Sequence, residues 1–312
     1  MPLHVFEDWQ ELPDSARGGA LALGAFDGVH RGHRAVIAGA AEAARRLGAP
    51  LGVVTFDPHP QRWFMPQAEP FLLTTPAQQA RALADLGVEH LYRLPFDAEM
   101  AELSDADFAR RVLGAGLGAR HVATGPDFTF GKGRAGDPKA LRAFGERLGF
   151  GVSTAPLVHD DGTKCSSTAI REALRVSRPE RAAAMLGRPF AIEGVVVHGD
   201  HLGRTLGFPT ANVGLGDYVR PTPGIYAGRT RLSDGREIPG VAYIGRRPTV
   251  DGIDERLEVN LFDFDEDLYG QTLETDLVAF VRGDEKFDGL DALKAQIAAD
   301  CDAARAILMP AF

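Results

Sequence analysis

From residue 21 to about residue 158, short apolar runs alternate with stretches of helical periodicity, and this constrains the fold of the 312-residue chain more than any other feature. Parallel strands need crossover connections of about a dozen or more residues, normally helices packed on the sheet faces, so the pattern predicts a doubly wound α/β domain. Strands are expected at residues 20–24, 51–56, 90–94, 121–125 and 152–157, with helices starting near Gly32, Thr75, Ser104 and Asp137. Glycines at 48, 87 and 149 supply helix stops.

The texture changes after Ser166. Helical patterns over 167–175 and 178–186 lead to Gly187-Arg188-Pro189, after which β-branched runs at 191–198, 224–232, 241–245, 257–262 and 275–281 are separated by Gly, Pro and Asp turns. Closely spaced short strands of this kind predict a small antiparallel barrel. A final amphipathic helix, Leu290–Leu308, carries Leu290, Leu293, Ile297 and Ala304 at helical spacing and is expected to pack on it. The expected domains are residues 1–186 and 187–312, a division the chain length also favours.

Composition removes several function classes. A net charge of −9 argues against a broad nucleic-acid surface, so an anionic substrate must be held by local groups. The two cysteines, Cys165 and Cys301, are far apart and sit in no CxxC or Cys/His pattern, which supports neither a disulfide framework nor a structural zinc site. Apolar stretches break well short of the roughly 20 residues that span a bilayer, and the first residues carry acids where a signal peptide carries bases. The chain reads as cytoplasmic, with no membrane partner; whether it forms a homo-oligomer is left open.

The segment Gly24-Ala25-Phe26-Asp27-Gly28-Val29-His30-Arg31-Gly32-His33 joins the first expected strand to the first expected helix. Open α/β sheets bind ligands at such junctions. His30 and His33 can face one side there, while free N–H groups of the helix point at an anion. The arrangement suits a nucleotide whose α-phosphorus is attacked directly, because imidazole and backbone donors stabilise charge building on the phosphate oxygens. The competing reading has one histidine capping the helix and the other solvated. A zinc site would require His59 from another strand end.

Two further segments reach the same sheet edge: Phe56-Asp57-Pro58-His59-Pro60, and Gly125 through Arg134, which mixes glycines with Lys132 and Arg134. The second reads either as a phosphate-gripping loop or as a mobile basic one. Ser166-Ser167-Thr168-Ala169-Ile170-Arg171 puts hydroxyls at a helix start with Arg171 one turn in. The run Gly114 to Ala119 fits a dinucleotide fingerprint but follows a helix and precedes a strand, so it reads as a helix terminus. Neither a GxxxxGK[ST] loop nor a GxSxG elbow occurs. In the second domain, Gly203-Arg204-Thr205-Leu206-Gly207-Phe208-Pro209-Thr210-Ala211-Asn212 combines glycines that let backbone N–H groups approach phosphates with neutral oxygens suited to Mg²⁺. A plain Gly/Pro turn is the alternative.

The GxFDGVHxGH, GxDFxFG and SSTxIR segments resemble the Rossmann-like nucleotidyltransferase domain of bacterial bifunctional riboflavin kinase/FMN adenylyltransferases. The 203–212 segment resembles the riboflavin kinase half of that family, as do Gly245 to Thr249, Glu258-Val259-Asn260, Asp267 to Gly270 and Arg282 through Phe287. The resemblance covers almost the whole chain. It implies phosphorylation of riboflavin to FMN in the barrel and adenylylation of FMN to FAD in the first domain, each using ATP and Mg²⁺. It places Gly24, Phe26, Asp27, Gly28, Asp127, Ser166, Ser167, Thr168 and Arg171 at the first nucleotide with His30 and His33 in the chemistry. It puts Asp57, His59 and Phe130 against its flavin. In the barrel it implies Gly203 and Gly207 at nucleotide, Thr210 and Asn212 at Mg²⁺, Arg282 and Phe287 at flavin, and Glu258 as the base for the ribityl hydroxyl. Without it, Glu258 reads equally as a solvated strand residue. Ala25, Asp57, Tyr243 and Asn260 stand where the family frequently has Asn, Glu, Asn and His. A transferase for another phosphorylated acceptor would leave the barrel motifs without a role; a flavin sensor without turnover would be expected to lack His30, His33 or Glu258, all present.

Overall fold

The structure, a computed structural model, describes residues 2–199, 207–249 and 252–309. The chain forms two compact units, Met1–Glu69 with Pro76–Ser166, and Pro70–Thr75 with Ser167–Phe312.

In the first unit, strands β1 (His4–Phe6), β2 (Ala20–Leu23), β3 (Leu51–Asp57), β4 (His90–Pro95), β5 (His121–Thr124) and β6 (Gly151–Thr154) form one sheet in the order β1-β4-β3-β2-β5-β6. All five pairings are parallel. The chain runs outward from β2 through β3 to β4, then returns to β5 on the other side of β2, so the crevice outside the ends of β2 and β5 is the topological switch point. Alternation along β2 explains the layers. Ala20 and Ala22 pack with Val36, Ile37 and Ala40 of the helix Arg31–Leu47, whereas Leu21 and Leu23 pack with Val112, Leu113 and Leu141 on the opposite face.

All five expected strands are present, but the last ends at Thr154 rather than 157, and Leu157 is exposed. The chain turns instead into a small hairpin, β7 (His159–Asp160) with β8 (Thr163–Lys164), through Asp161 and Gly162 at positive φ. The edge strand β1 was not expected, since three half-exposed residues carry no apolar run. The run Gly114 to Ala119 does end a helical segment, the π-helical Phe108–Gly116, before β5.

The second unit contains a closed antiparallel barrel in the order β10-β13-β12-β11-β14-β9. Its strands are β9 (Phe190–Val197), β10 (Ala211–Gly214), β11 (Gly224–Arg231), β12 (Glu237–Thr249), β13 (Gly252–Leu261) and β14 (Thr272–Arg282). The helices Ser167–Arg175 and Pro179–Leu186 belong to this unit. The second of them buries Ala182, Met185 and Leu186 and packs against β9 and β14, so the compact unit starts twenty residues before the division expected at 187. The terminal helix Leu290–Leu308 lies on β11, β12 and β14. Its first expected contact is corrected: Leu290 is 61% exposed, and the inward stripe is Ile297, Cys301, Ala304 and Leu308. Among the described residues no helix is long and apolar enough to cross a membrane.

Candidate active sites

The junction after β2 is a tightly determined piece of backbone. Phe26, Gly28 and Val29 have φ of 52°, 87° and 43°, and both non-glycine residues are buried. Left-handed backbone at a bulky or β-branched residue costs energy and persists only where surroundings enforce it. Here the Ala25 carbonyl accepts from Thr55 Oγ1 at 2.9 Å and from Gln79 Nε2 at 3.0 Å, while Phe26 and Val29 fill the core below.

His30 is the N-cap of the helix Arg31–Leu47, its Nδ1 accepting from the His33 N–H at 3.2 Å. In this bond the ring nitrogen is the acceptor and the helix N–H the donor. The two imidazoles stack at 3.6 Å between centroids, 18° apart, and Phe26 meets His33 edge-on at 5.2 Å. His30 thus makes the helix-capping bond that the sequence offered as one reading of the pair. Gly32 has no room for a side chain: a Cβ would lie 3.0 Å from the Cys165 carbonyl oxygen and 3.1 Å from the His30 ring. That contact brings the residue preceding Ser166 against the helix start.

Other expected groups around this unit are placed as follows. Asp57 ends β3, and His59 caps the short helix Pro60–Phe64, its Nδ1 accepting from the Gln61 N–H at 3.1 Å. Asp127 is ion-paired with Lys164. The segment 131–134 is ordered: Lys132 pairs with Glu102 at 2.6 Å, Arg134 Nε donates to Thr129 Oγ1 at 2.9 Å, and Gly131 at φ 74° approaches Asp105 so closely that a Cβ would lie 2.4 Å from its nitrogen. Its two basic groups thus make local contacts at the surface, Lys132 with Glu102 and Arg134 with Thr129.

Phe130 is nearly buried, stacked on Phe128 at 5.9 Å and tilted on Phe108 at 5.7 Å. Phe108 continues through Phe56 to Phe96, which Trp63 and Phe64 meet edge-on at 6.4 and 5.7 Å. This aromatic floor was missed except for Phe130. The available signal was Trp63-Phe64 directly after the second motif, two large aromatics with no core period to absorb them.

Ser167 and Thr168 open the helix Ser167–Arg175 of the second unit. Arg171 Nε donates to the Phe71 carbonyl at 2.6 Å, and its guanidinium lies 5.3 Å over the Phe71 ring.

In the barrel, pairing registers do most of the positioning. Asn212 of β10 and Tyr243 of β12 both lie directly opposite Glu258 of β13, so the three side chains share one face of the sheet. Of these, Tyr243 and Glu258 line a cavity of about 300 Å³ together with Thr210, Asn260, Arg282 and Phe287 and with Leu293, Ile297 and Cys301 of the terminal helix. The intervening residues Ala211, Val259 and Leu261 face a second cavity of about 460 Å³, bounded also by residues 264–269. Thr210 lines both.

Asn212 is buried, and its Oδ1 has no hydrogen-bond partner among the described residues, an unsatisfied acceptor that costs free energy unless a ligand or water meets it. Asn260 Nδ2 donates to the Pro209 carbonyl at 2.7 Å and so anchors the residue before Thr210. Tyr243 lies across the backbone at Gly245, where a Cβ would meet its ring at 2.2 Å. Arg282 is paired in a fork with Asp300, whose hydrogen bonds raise its pKa against the opposing effect of burial, and burial beside Asp300 pushes the Cys301 thiol up. Gly207 is exposed at φ 87°, and Gly203 lies outside the described residues.

Comparison with known proteins agrees with both halves. Residues 12–169 match the FAD synthetase family and residues 186–308 the riboflavin kinase family. The chain is 43% identical over 91% of its length to the bifunctional riboflavin kinase/FMN adenylyltransferase of Escherichia coli K12, covering 90% of that protein. The protein of that name from Pseudomonas fluorescens is 43% identical with 94% of each chain covered, and that from Bacillus subtilis is 36% identical with 96% and 95% covered. A solved structure described as a macrolide-efflux protein from Streptococcus pneumoniae superposes with a TM-score of 0.86 at 32% identity, covering 97% of this chain and 98% of that one. With both domains present in the same order as in relatives matched end to end, the chain belongs to the bifunctional riboflavin kinase/FMN adenylyltransferase family.

Proposed function

We infer that this chain makes FAD in two steps, phosphorylating riboflavin with ATP in the barrel and transferring the adenylyl group of a second ATP to FMN in the first unit. The observation that carries the reading is the pair of barrel cavities meeting at Thr210, one facing Glu258 and the other its strand neighbours Val259 and Leu261. Phosphoryl transfer needs the acceptor oxygen and the γ-phosphorus in contact and in line, and Thr210, which lines both cavities, marks where the two meet.

In the barrel, riboflavin occupies the cavity under the terminal helix, with Phe287 and Arg282 at the flavin. Glu258 takes the proton from the terminal ribityl hydroxyl as that oxygen attacks the γ-phosphorus. ATP lies in the second cavity and against Gly203 and Gly207. Mg²⁺ fits the donor set: the buried, unsatisfied Oδ1 of Asn212 and the Thr210 hydroxyl are hard oxygens, leaving the remaining positions to water and phosphate. When bound, the cation neutralises charge on the transferring phosphates.

In the first unit, the FMN phosphate attacks the α-phosphorus of ATP and pyrophosphate leaves. His30 and His33, at the start of the helix Arg31–Leu47, stabilise the developing charge on the phosphate oxygens. Gly24, Phe26, Asp27 and Gly28 shape the phosphate cradle; Asp127 and Ser166 bind nucleotide, and Asp57, His59 and Phe130 contact the flavin. The division between activities lies at residue 187, and the enzyme works in the cytoplasm, where ATP is supplied and its two buried thiols stay reduced.

The test is to incubate the protein with riboflavin, ATP and Mg²⁺, separate the flavins by chromatography and assay pyrophosphate. FMN and FAD with pyrophosphate release are expected. FMN alone, persisting when FMN is supplied as substrate, would remove the second activity; riboflavin bound but unchanged would remove both.

A further inference from the structure

The acceptor cavity has a wall that the strands alone do not determine. Arg282 is the last residue of β14, and residues 283–289 then run without regular structure to the terminal helix. Phe287 of that segment and Ile297 of the helix both line the cavity, so its shape depends on how the segment is held.

A single guanidinium touches both sides. Arg282 Nε and Nη2 donate to the two oxygens of Asp300, each at 2.8 Å, its Nη1 donates to the Gly283 carbonyl at 2.9 Å, and its centre lies 5.6 Å from the Phe287 ring. Asp300 sits on the third turn of the helix, almost fully buried, and also accepts from Gln296 Nε2 at 2.9 Å.

Docking the helix does not require this pair. Cys301, Ala304 and Leu308 already attach it through apolar contact, and a buried ion pair adds little net stability compared with an apolar one. What the fork adds is direction, since two parallel bonds fix the guanidinium plane and with it the cation–π contact to Phe287. We infer that Asp300 is a positioning residue for the acceptor: it orients Arg282 and, through it, Phe287, and so sets the affinity for riboflavin without entering the chemistry. This rests on the reading of that cavity as the riboflavin site.

The test measures steady-state kinase kinetics for D300N, R282K and the double variant, with conversion of supplied FMN to FAD as the internal control. D300N keeps the volume but loses the charge and one acceptor. It should raise KM for riboflavin roughly tenfold or more, with kcat and KM for ATP within about twofold, the signature of lost ground-state positioning. R282K should do the same. The double variant should be no worse than the weaker single, because both remove one fork. Wild-type KM in D300N, additive effects, or a fall in kcat at unchanged KM would overturn the inference. Should D300N fail to fold, as a lost melting transition would show, R282K and Q296L carry the test, the latter shifting KM in the same direction by less. A wild-type protein that leaves riboflavin unphosphorylated would instead overturn the assignment of the cavity.

Discussion

Replacing Gly199 by alanine addresses the second site through one added carbon. Gly199 lies against the side chain of Asn212: a Cβ there would be 2.5 Å from Nδ2 and 2.7 Å from both Cγ and Oδ1. Ordinary contact begins near 3.4 Å, so the amide must retreat by about 1 Å, because the new atom is fixed to the backbone. Gly199 is not among the positive-φ glycines, so alanine adds no backbone penalty and the effect is confined to Asn212. A displacement of about 1 Å at a group that must present an oxygen to Mg²⁺ and phosphate costs on the order of a hundredfold in rate. FMN formation should fall by about that factor, with partial recovery at high Mg²⁺, while supplied FMN is still converted to FAD at the wild-type rate. Unchanged kinase activity would refute the placing of Asn212 in that site, and loss of both activities would show that the substitution acts on the fold.

Other expectations follow from particular contacts. Glu258→Gln should abolish FMN formation and leave adenylylation of added FMN intact, whereas His30→Ala with His33→Ala should do the reverse; product chromatography reads both. Gly131→Ala forces a side chain into left-handed backbone at 2.4 Å from Asp105, so the first unit should lose at least ~1–2 kcal/mol and its melting transition should fall. Asp276 has its carboxyl pushed up from 3.8 to about 6 by burial first and Glu274 and Glu237 next, with Arg231 and Arg188 opposing. A raised carboxylate is a penalty absent below about pH 4 and complete above about pH 6. Asp276→Asn should therefore stabilise the barrel at pH 7.5 by at most ~3 kcal/mol, roughly halved where water screens the site, and the gain should vanish near pH 4 in melts across that range.

The sequence carried the sheet because each strand is a short apolar run closed by a helix signal, and the barrel because its runs are β-branched and punctuated. The strand β10 escaped: Thr210-Ala211-Asn212 reads as the tail of a Gly/Pro turn, and only its pairing with Val196, Val197 and Leu257 to Val259 makes it a strand. Edge strand β1 escaped for want of an apolar run. Residues chosen by motif lie together where the motif is continuous, as in Gly24 to His33 at the junction of β2 with its helix. Arg282 with Asp300, eighteen residues apart across a strand end and a helix, and the aromatic floor drawn from four segments, are products of tertiary packing that no local pattern encodes.

Both sites use the same physical device, a backbone whose conformation is enforced by buried neighbours. At the first, Thr55 and Gln79 hold Ala25 while Phe26 and Val29 stay left-handed, and His30 accepts the His33 N–H at Nδ1. At the second, Asn260 holds Pro209, Gly199 makes room for Asn212, and Oδ1 is left unsatisfied among the described residues. A backbone fixed in this way holds polar side chains in place before any ligand arrives. Gly199→Ala and Asp300→Asn are therefore the informative substitutions for the proposed sites: each leaves the neighbouring residue present, Asn212 in one case and Arg282 in the other, and alters where it stands.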